Sequence, residues 1–247
     1  MVTAMIRSMV LALVTGVALA AAPAFAGERL AVVELFTSQG CHSCPPADRV
    51  LTDLAARDDV LALSWNVDYW DYLGWKDTFG SPRHTERQRA YNRELGRRSV
   101  YTPQIVIGGR LETIGSRKAE VVQAIDKLRA EPHPALPFAL TRSDDVLTVT
   151  FEQAALDIGL SVRAVWYATA NDVAIRRGEN RGKTLHYTNV VRGSRVLDSW
   201  RGQPMACTLP LAEARASGAD RIAILLQQGD AGPILDAASL PLAAPAH

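Results

Sequence analysis

The first half of the chain alternates short unbroken apolar runs with stretches in which apolar residues return every three or four positions. Residues 30–36, LAVVELF, are rich in β-branched side chains and predict a buried strand. TSQGCHSCPP follows, punctuated by Gly, Ser and Pro, and predicts a loop. Ala47, Val50, Leu51, Leu54 and Ala55 then recur at helical spacing with Asp48, Arg49 and Asp53 between them, which predicts an amphipathic helix. Residues 60–67, VLALSWNV, suit a second buried strand. After the aromatic and acidic stretch DYWDYLGWKDTFGSP, a polar helix is predicted from about Arg83 to Leu95. YTPQIVIGGRLETIG reads as two strands joined by Gly108-Gly109, a two-residue hairpin signal. A last helix starts near Ser116, a plausible N-cap, and buries Val121, Val122, Ile125 and Leu128. The predicted order is β-α-β-α-β-β-α.

EPHPALP, residues 131–137, stops that helix with its prolines and reads as a linker, so a domain boundary is expected there. Beyond it the pattern changes to short β-like runs: PFALTRS, VLTVTFE, LSVRAVWYAT, HYTNVVRG, SRVLDSW, ACTLPL and RIAILLQQ. Only Leu211 to Ser217 looks helical. This predicts an antiparallel sandwich of about six or seven strands. The tail SLPLAAPAH reads as a loose end, and no internal repeat is visible.

Composition changes this picture little. With 48% apolar and 21% charged residues among 247, the chain can bury a sizeable core, and wholesale disorder is excluded. Its 27 basic and 26 acidic side chains leave a formal charge of +1, so no strong field draws in nucleic acid. The start matters more. Arg7, the apolar run Met9–Ala22 and the A-x-A site Ala24-Phe25-Ala26 read as a signal peptide over residues 1–26. The run ends at Pro23, short of the roughly 20 residues a membrane span needs. The mature protein is therefore expected to be periplasmic or secreted, with no membrane span. Export suits disulfides, and Cys41, Cys44 and Cys207 all survive processing. Three is odd, so one thiol is left over when two pair.

The candidate chemistry is G-C-H-S-C-P-P at the junction of a predicted strand and helix. At this spacing the Cys41 and Cys44 sulfurs can bond, and unpaired N–H groups at the helix start stabilise a thiolate, moving its pKa from about 8.5 towards 7. Pro45 and Pro46 suit first-turn positions. These residues resemble the thioredoxin superfamily over about Arg29 to Ala130. The likeness rests on the element order, the C-H-S-C turn, Thr102-Pro103 opening QIVI, and the Gly109 hairpin. The resemblance implies that Pro103 is cis and that Thr102 pairs with substrate backbone. Where thioredoxins have Trp before the first cysteine and Gly-Pro between the two, this chain has Gly40 and His42-Ser43. His42, if protonated, favours the thiolate and pushes the couple towards oxidising or isomerising disulfides; otherwise it is a solvent-facing side chain of little effect. The whole chain, including RRGENRGKTLHYTNVVRG, resembles a family of secreted bacterial thioredoxin-like proteins of unknown function.

Glu34 lies seven residues before Cys41, near where thioredoxin-like enzymes keep a buried carboxylate that helps deprotonate the second cysteine. The spacing is one residue longer than in thioredoxin. A one-residue shift reverses the strand face, so a plain structural carboxylate is the alternative. Among rival uses of the cysteines, a closed zinc site needs four ligands, and His84, His133, His186 and His247 are scattered. Copper(I) is the better rival in an exported protein, with His42 or a methionine joining the thiolates. Trp65, Tyr69, Trp70, Tyr72, Trp75 and Phe79 either pack inside or wall the dithiol for a partner polypeptide. Asp68, Asp71 and Asp77 lack the spacing of a calcium loop. Arg176, Arg177, Arg181, Lys183, Arg192 and Arg195, with Glu179, Asn180 and Asn189 among them, form either an anion or partner site or a solvated loop. Cys207 reads as an inert thiol.

The expectation is an α/β chain, a thioredoxin-like domain at 27–131 followed by an antiparallel β-sandwich domain at 138–240. Its expected activity is thiol–disulfide exchange on protein or small-thiol disulfides, using Cys41, Cys44, Glu34 and His42. Thr102, Pro103, Trp70 and Trp75 would hold substrate, no metal or bound cofactor would be needed, and a partner dithiol would exchange electrons. The alternatives are a copper-binding metallochaperone and a redox-inactive interaction module.

Overall fold

The computed structural model describes residues 24–25, 30–134 and 136–242. The leader at 1–26 lies outside the described residues except for Ala24–Phe25, as do residue 135 of the linker and residues 243–247. The element order is β1 (Ala24–Phe25), β2 (Ala31–Thr37), α1 (Pro45–Ala55), β3 (Val60–Asn66), a 3₁₀ turn (Asp71–Leu73), α2 (Pro82–Glu94), β4 (Gln104–Ile107), β5 (Leu111–Ile114) and α3 (Lys118–Ala130). Then follow β6 (Phe138–Arg142), β7 (Val146–Phe151), β8 (Leu160–Ala174), β9 (Thr184–Trp200), β10 (Met205–Pro210), α4 (Ala212–Ala216), β11 (Arg221–Gln228) and β12 (Ile234–Pro241). From β2 to α3 this is the expected β-α-β-α-β-β-α. Helix α3 starts slightly later than read, with Arg117 at the N-cap, and Val122 stays half-exposed.

Two sheets organise the chain. The larger has eight strands in the order β12-β11-β8-β9-β3-β2-β4-β5, and the smaller is β1-β6-β7-β10. Strand β2 runs parallel to β3 and antiparallel to β4. Side-chain alternation along β2 sorts the layers. Ala31, Val33 and Leu35 pack under α1 and α3 with Leu51, Leu54, Val121, Ile125 and Leu128. Val32 and Phe36 face the other way, onto Tyr91 of α2. α1 begins at the two prolines, which lack N–H groups a first turn would leave unpaired.

The second half does not stand apart from this sheet. Strands β8 and β9 form a long antiparallel ribbon, and β9 joins β3 in parallel at Ser64 and Val190. Asn189 takes φ 51° at that joint and donates its amide to Ala62 O at 2.8 Å, a left-handed conformation asparagine tolerates. Further along the ribbon, Val162, Ala164 and Trp166 of β8 with Ile222, Ile224 and Leu226 of β11 pack against Leu140, Leu147, Val149 and Phe151 of the smaller sheet. This is the antiparallel two-layer packing expected of the second half. The tail departs from expectation: Ser239–Pro241 belong to β12, paired with β11, and Leu242 is buried. An alternation too short to read alone is completed by a partner strand. The Gly108-Gly109 hairpin forms as read. Gly109 has φ +66°, and a Cβ there would meet Gly232 O at 2.2 Å, so the hairpin and the β11–β12 turn fit only without a side chain.

A buried ion pair locks α2 onto the sheet. The Arg87 guanidinium donates Nε–H to Glu34 Oε1 at 2.7 Å and Nη2–H to Oε2 at 3.0 Å. It also reaches Tyr91 Oη, Gln227 Oε1 of β11 and the Asp230 carbonyl. The plane stacks near the rings of Trp65 and Tyr91. Such a pair is costly to break, because the remaining charge stays buried. Arg87→Met should destabilise the protein by about 3–5 kcal/mol in urea unfolding; a loss under about 1 kcal/mol would show that the pair is not held dry.

Candidate functional site

Cys41 and Cys44 form a disulfide with Cα atoms 5.4 Å apart, across the turn that leads into α1. Cys44 is the helix N-cap, and its carbonyl accepts from the N–H groups of Ala47 at 2.8 Å and Asp48 at 3.1 Å. Pro45 and Pro46 remove the two donors that would otherwise open the helix, so its mouth presents fewer free N–H groups than the spacing alone suggests. The pair is also more covered than expected. Cys41 is 4% exposed and Cys44 is fully buried. Ser43 Oγ lies 3.5 Å from Cys41 Sγ.

The β8–β9 hairpin, far away in sequence, is bonded to the backbone of this loop. Asn180 is completely buried and donates its amide to Gln39 O at 3.0 Å and Cys41 O at 2.9 Å. Glu179 accepts the His42 N–H at 3.2 Å. Beside the two uses expected of this stretch, solvated loop and partner site, the structure shows a third feature: a hairpin whose inner residues brace the disulfide loop while Arg176, Arg177, Arg181 and Lys183 stay exposed. Sequence reasoning did not connect Asn180 to the dithiol. Its one signal was a lone Asn and Glu inside a basic, glycine-flanked turn.

The aromatic segment divides between the two uses read for it. Trp65 is core, in ring contact with Phe36 and His84. Phe79 packs on Tyr187 of β9, and Trp75 donates Nε1–H to Gln39 Oε1 at 2.8 Å. Trp70 instead lines the disulfide loop. Its Nε1–H donates to Thr102 Oγ1 at 2.7 Å, and a Cβ on Gly40 would come within 3.2 Å of it. That close approach favours a small residue before Cys41. Tyr72 stacks on Trp70 and is 76% exposed. The Thr102–Pro103 peptide bond is cis, with Thr102 half-buried and Pro103 buried.

The acidic residues depart from the expected arrangement. Glu34 shares its face of β2 with Val32 and Phe36, away from α1, and is held by Arg87 and Tyr91. Side-chain alternation along β2 puts Glu34 on this face, where its carboxylate is taken up by Arg87 and Tyr91 rather than by the cysteines. Asp48, one helical turn past Cys44, lies on the α1 side. It accepts from Thr37 Oγ1 at 2.8 Å, while its Oδ2 is buried with no hydrogen-bond partner. Burial, with a contribution from Asp77, pushes its carboxyl up to about 8. Asp77 is also raised by burial, although Gln39 N–H, Asn66 Nδ2 and Phe79 N–H donate to it. The signal for Asp48 was an acid at a core-facing helix position, read instead as surface charge. His84 is buried and held neutral, its pKa lowered to about 4 by desolvation. Cys207 lies half-buried on β10, its thiol pushed up to about 11 by burial, which suits an inert thiol. Among the described residues no three His, Cys, Asp or Glu side chains gather as a metal shell, and no helix is long and apolar enough to cross a membrane.

Residues 32–227 match the family described as protein of unknown function (DUF1223), and the chain belongs to that family. The X-ray crystal structure of protein AGR_C_4864 from Agrobacterium tumefaciens is similar over 87% of this chain and 96% of that one, with 33% identity and a TM-score of 0.75. HBP35 of Porphyromonas gingivalis is similar over 86% of this chain and 75% of that one, at 16% identity and a TM-score of 0.56, a likeness of fold alone. No curated protein matches the chain.

A carboxyl whose pKa rises on folding favours the native state below its unfolded value near 3.8, and that contribution is lost as pH climbs towards about 8. Asp48→Asn should therefore gain stability relative to the parent between about pH 5 and about pH 9, by about 4 kcal/mol. Urea unfolding at the two pH values reads this, and a pH-independent difference would show that Asp48 ionises normally.

Proposed function

We propose that this chain is an exported thiol–disulfide oxidoreductase that exchanges its Cys41–Cys44 pair with disulfides of proteins or small thiols. The observation that carries the reading is that pair, already bonded, at the head of α1 and beside the Trp70–Thr102 contact. The β-α-β-α-β-β-α order and the cis Thr102–Pro103 bond support reading residues 27–131 as a thioredoxin-like domain, with residues 138–240 as a β-sandwich domain built onto it. The leader over residues 1–26 is read as an export signal to the periplasm or beyond, where a disulfide persists. The couple needs no bound cofactor, and a partner dithiol supplies or takes the electrons.

In the reducing direction the Cys41 thiolate attacks one sulfur of a partner cystine. That S–S bond breaks, the released partner sulfur takes a proton, and a mixed disulfide remains on Cys41. Cys44 then loses its proton and attacks Cys41 Sγ. The Cys41–Cys44 bond forms, the second partner thiol leaves, and two electrons have passed from the dithiol to the cystine. The reverse sequence oxidises a partner. Asp48 is the group we assign to the Cys44 proton: it is one turn away on the same helix, and its buried carboxyl, pushed up to about 8, can take and return a proton near neutral pH. Thr102 and Pro103 align the partner backbone and Trp70 walls it. His42 sits exposed beside Cys41, and Glu179 opposes its effect on the thiolate by placing a carboxylate on the same backbone.

After reduction, Cys41, the less deeply buried of the two cysteines, should alkylate before Cys44, and Cys44→Ser should trap a stable mixed disulfide that Cys41→Ser cannot form. Mass spectrometry of the adducts decides; if neither thiol reacts faster than free cysteine, the reading fails. Glu179→Gln should lower the Cys41 pKa, speeding its alkylation at about pH 7 by roughly two- to threefold. An unchanged or slower rate would remove Glu179 from the site's electrostatics.

A further inference from the structure

The β8–β9 tip carries cations that the exchange steps above do not use. Its turn is well defined: Ile175 N–H donates to Lys183 O at 2.9 Å, Gly182 N–H to Ile175 O at 2.8 Å, and Arg181 N–H to Gly178 O at 3.1 Å. Ile175 is buried with Leu185, Tyr187 and Val190 against Trp75 and Phe79. Asn180 and Glu179 fasten the tip to the backbone of residues 39–42. The backbone that carries the outward side chains is therefore held against the disulfide loop.

Their charge is not consumed locally. Lys183 Nζ donates to Asn180 Oδ1, and within residues 175–183 Glu179 is the one acid, a single carboxylate against the four cations Arg176, Arg177, Arg181 and Lys183. Among the described residues, Arg176, Arg177 and Arg181 have no carboxylate at ion-pair distance. In a chain whose 27 basic and 26 acidic residues nearly balance, the β8–β9 tip places Arg176, Arg177, Arg181 and Lys183 together beside the disulfide loop. That tip is continuous with the aromatic rim. Gly178 lies where a Cβ would meet Trp75 Cβ at 3.2 Å and Leu73 O at 3.3 Å, and from there the surface leads to exposed Tyr72 stacked on Trp70.

We infer that the tip selects its substrate: a polypeptide whose cystine is flanked by acidic residues, their carboxylates met by Arg176, Arg177 and Arg181 and the adjoining chain laid on Trp70 and Tyr72. This rests on the exchange reading above and specifies its substrate class. Guanidinium groups suit carboxylates by their planar, paired donors. A small anionic disulfide would satisfy the cations and leave the aromatic shelf bare, which is why a polypeptide is the occupant.

The test uses the reduced full-length protein in single-turnover exchange with three cystine peptides that differ only in acidic, neutral or lysine flanks. The acidic peptide should react about tenfold faster than the neutral one at low salt, and the lysine peptide slower than both. The acidic-to-neutral ratio should fall towards one at about 0.5 M salt and in the variant R176Q/R177Q/R181Q. A ratio near one in the parent, or one that the variant does not change, overturns the inference while leaving exchange itself intact. Oxidised glutathione reacting as fast as the acidic peptide, with equal sensitivity to the variant, overturns the polypeptide assignment. No exchange with any peptide sinks the underlying redox reading as well.

Discussion

The guanidinium of Arg87 is the group around which the molecule is arranged. A buried cation must be matched by acceptors, and Arg87 finds them on β2, on its own helix α2, on β11 and in the turn that follows β11. These elements come from both halves of the chain. Satisfying one charge therefore fixes the face of β2 that meets α2 and, with it, the opposite face that receives α1. The α1 face is where the disulfide sits, so the ion pair on one side of the sheet determines the register of the chemistry on the other.

The disulfide loop is held by two separate pieces of chain, the aromatic segment after β3 and the β8–β9 hairpin. Gln39, just before it, takes hydrogen bonds from the Trp75 indole and gives its N–H to Asp77. Trp70 closes against Gly40, and Asn180 grips the carbonyls of Gln39 and Cys41. A loop braced in this way keeps its sulfurs in place with little exposed surface, and in the exchange we propose a partner would meet it at the rim formed by Trp70, Tyr72 and the hairpin tip. The extension of the sheet from β3 into β9 has a functional consequence as well as a packing one, since it carries the hairpin to the site.

Much of this was legible. The apolar runs LAVVELF and VLALSWNV, the helical spacing from Ala47 to Ala55 and the Gly108-Gly109 turn each encode their element locally, because burial and backbone conformation act over a few residues. The Cys-x-x-Cys spacing likewise determines that a bond between the two sulfurs is possible. Less legible were features whose meaning depends on a neighbour remote in sequence. Asp48 looked like a surface charge between apolar positions, and only packing against Thr37 with Asp77 close by makes it a buried acid. The tail residues Ser239–Pro241 carried no strand signal of their own and became one by pairing with β11.

The sequence by itself determined the first-half element order, the strand-rich second half and the place of the cysteine pair, all consequences of hydrophobic period and turn chemistry. Tertiary structure decided which carboxylate lies on the α1 side, because a strand face is chosen by register and Glu34 found Arg87 instead. It also decided that Asn180 and Glu179, some 140 residues downstream, complete the loop around Cys41. Hydrogen bonds across that separation leave no periodic trace in the chain. They exist only once the sheet has brought β9 beside β3.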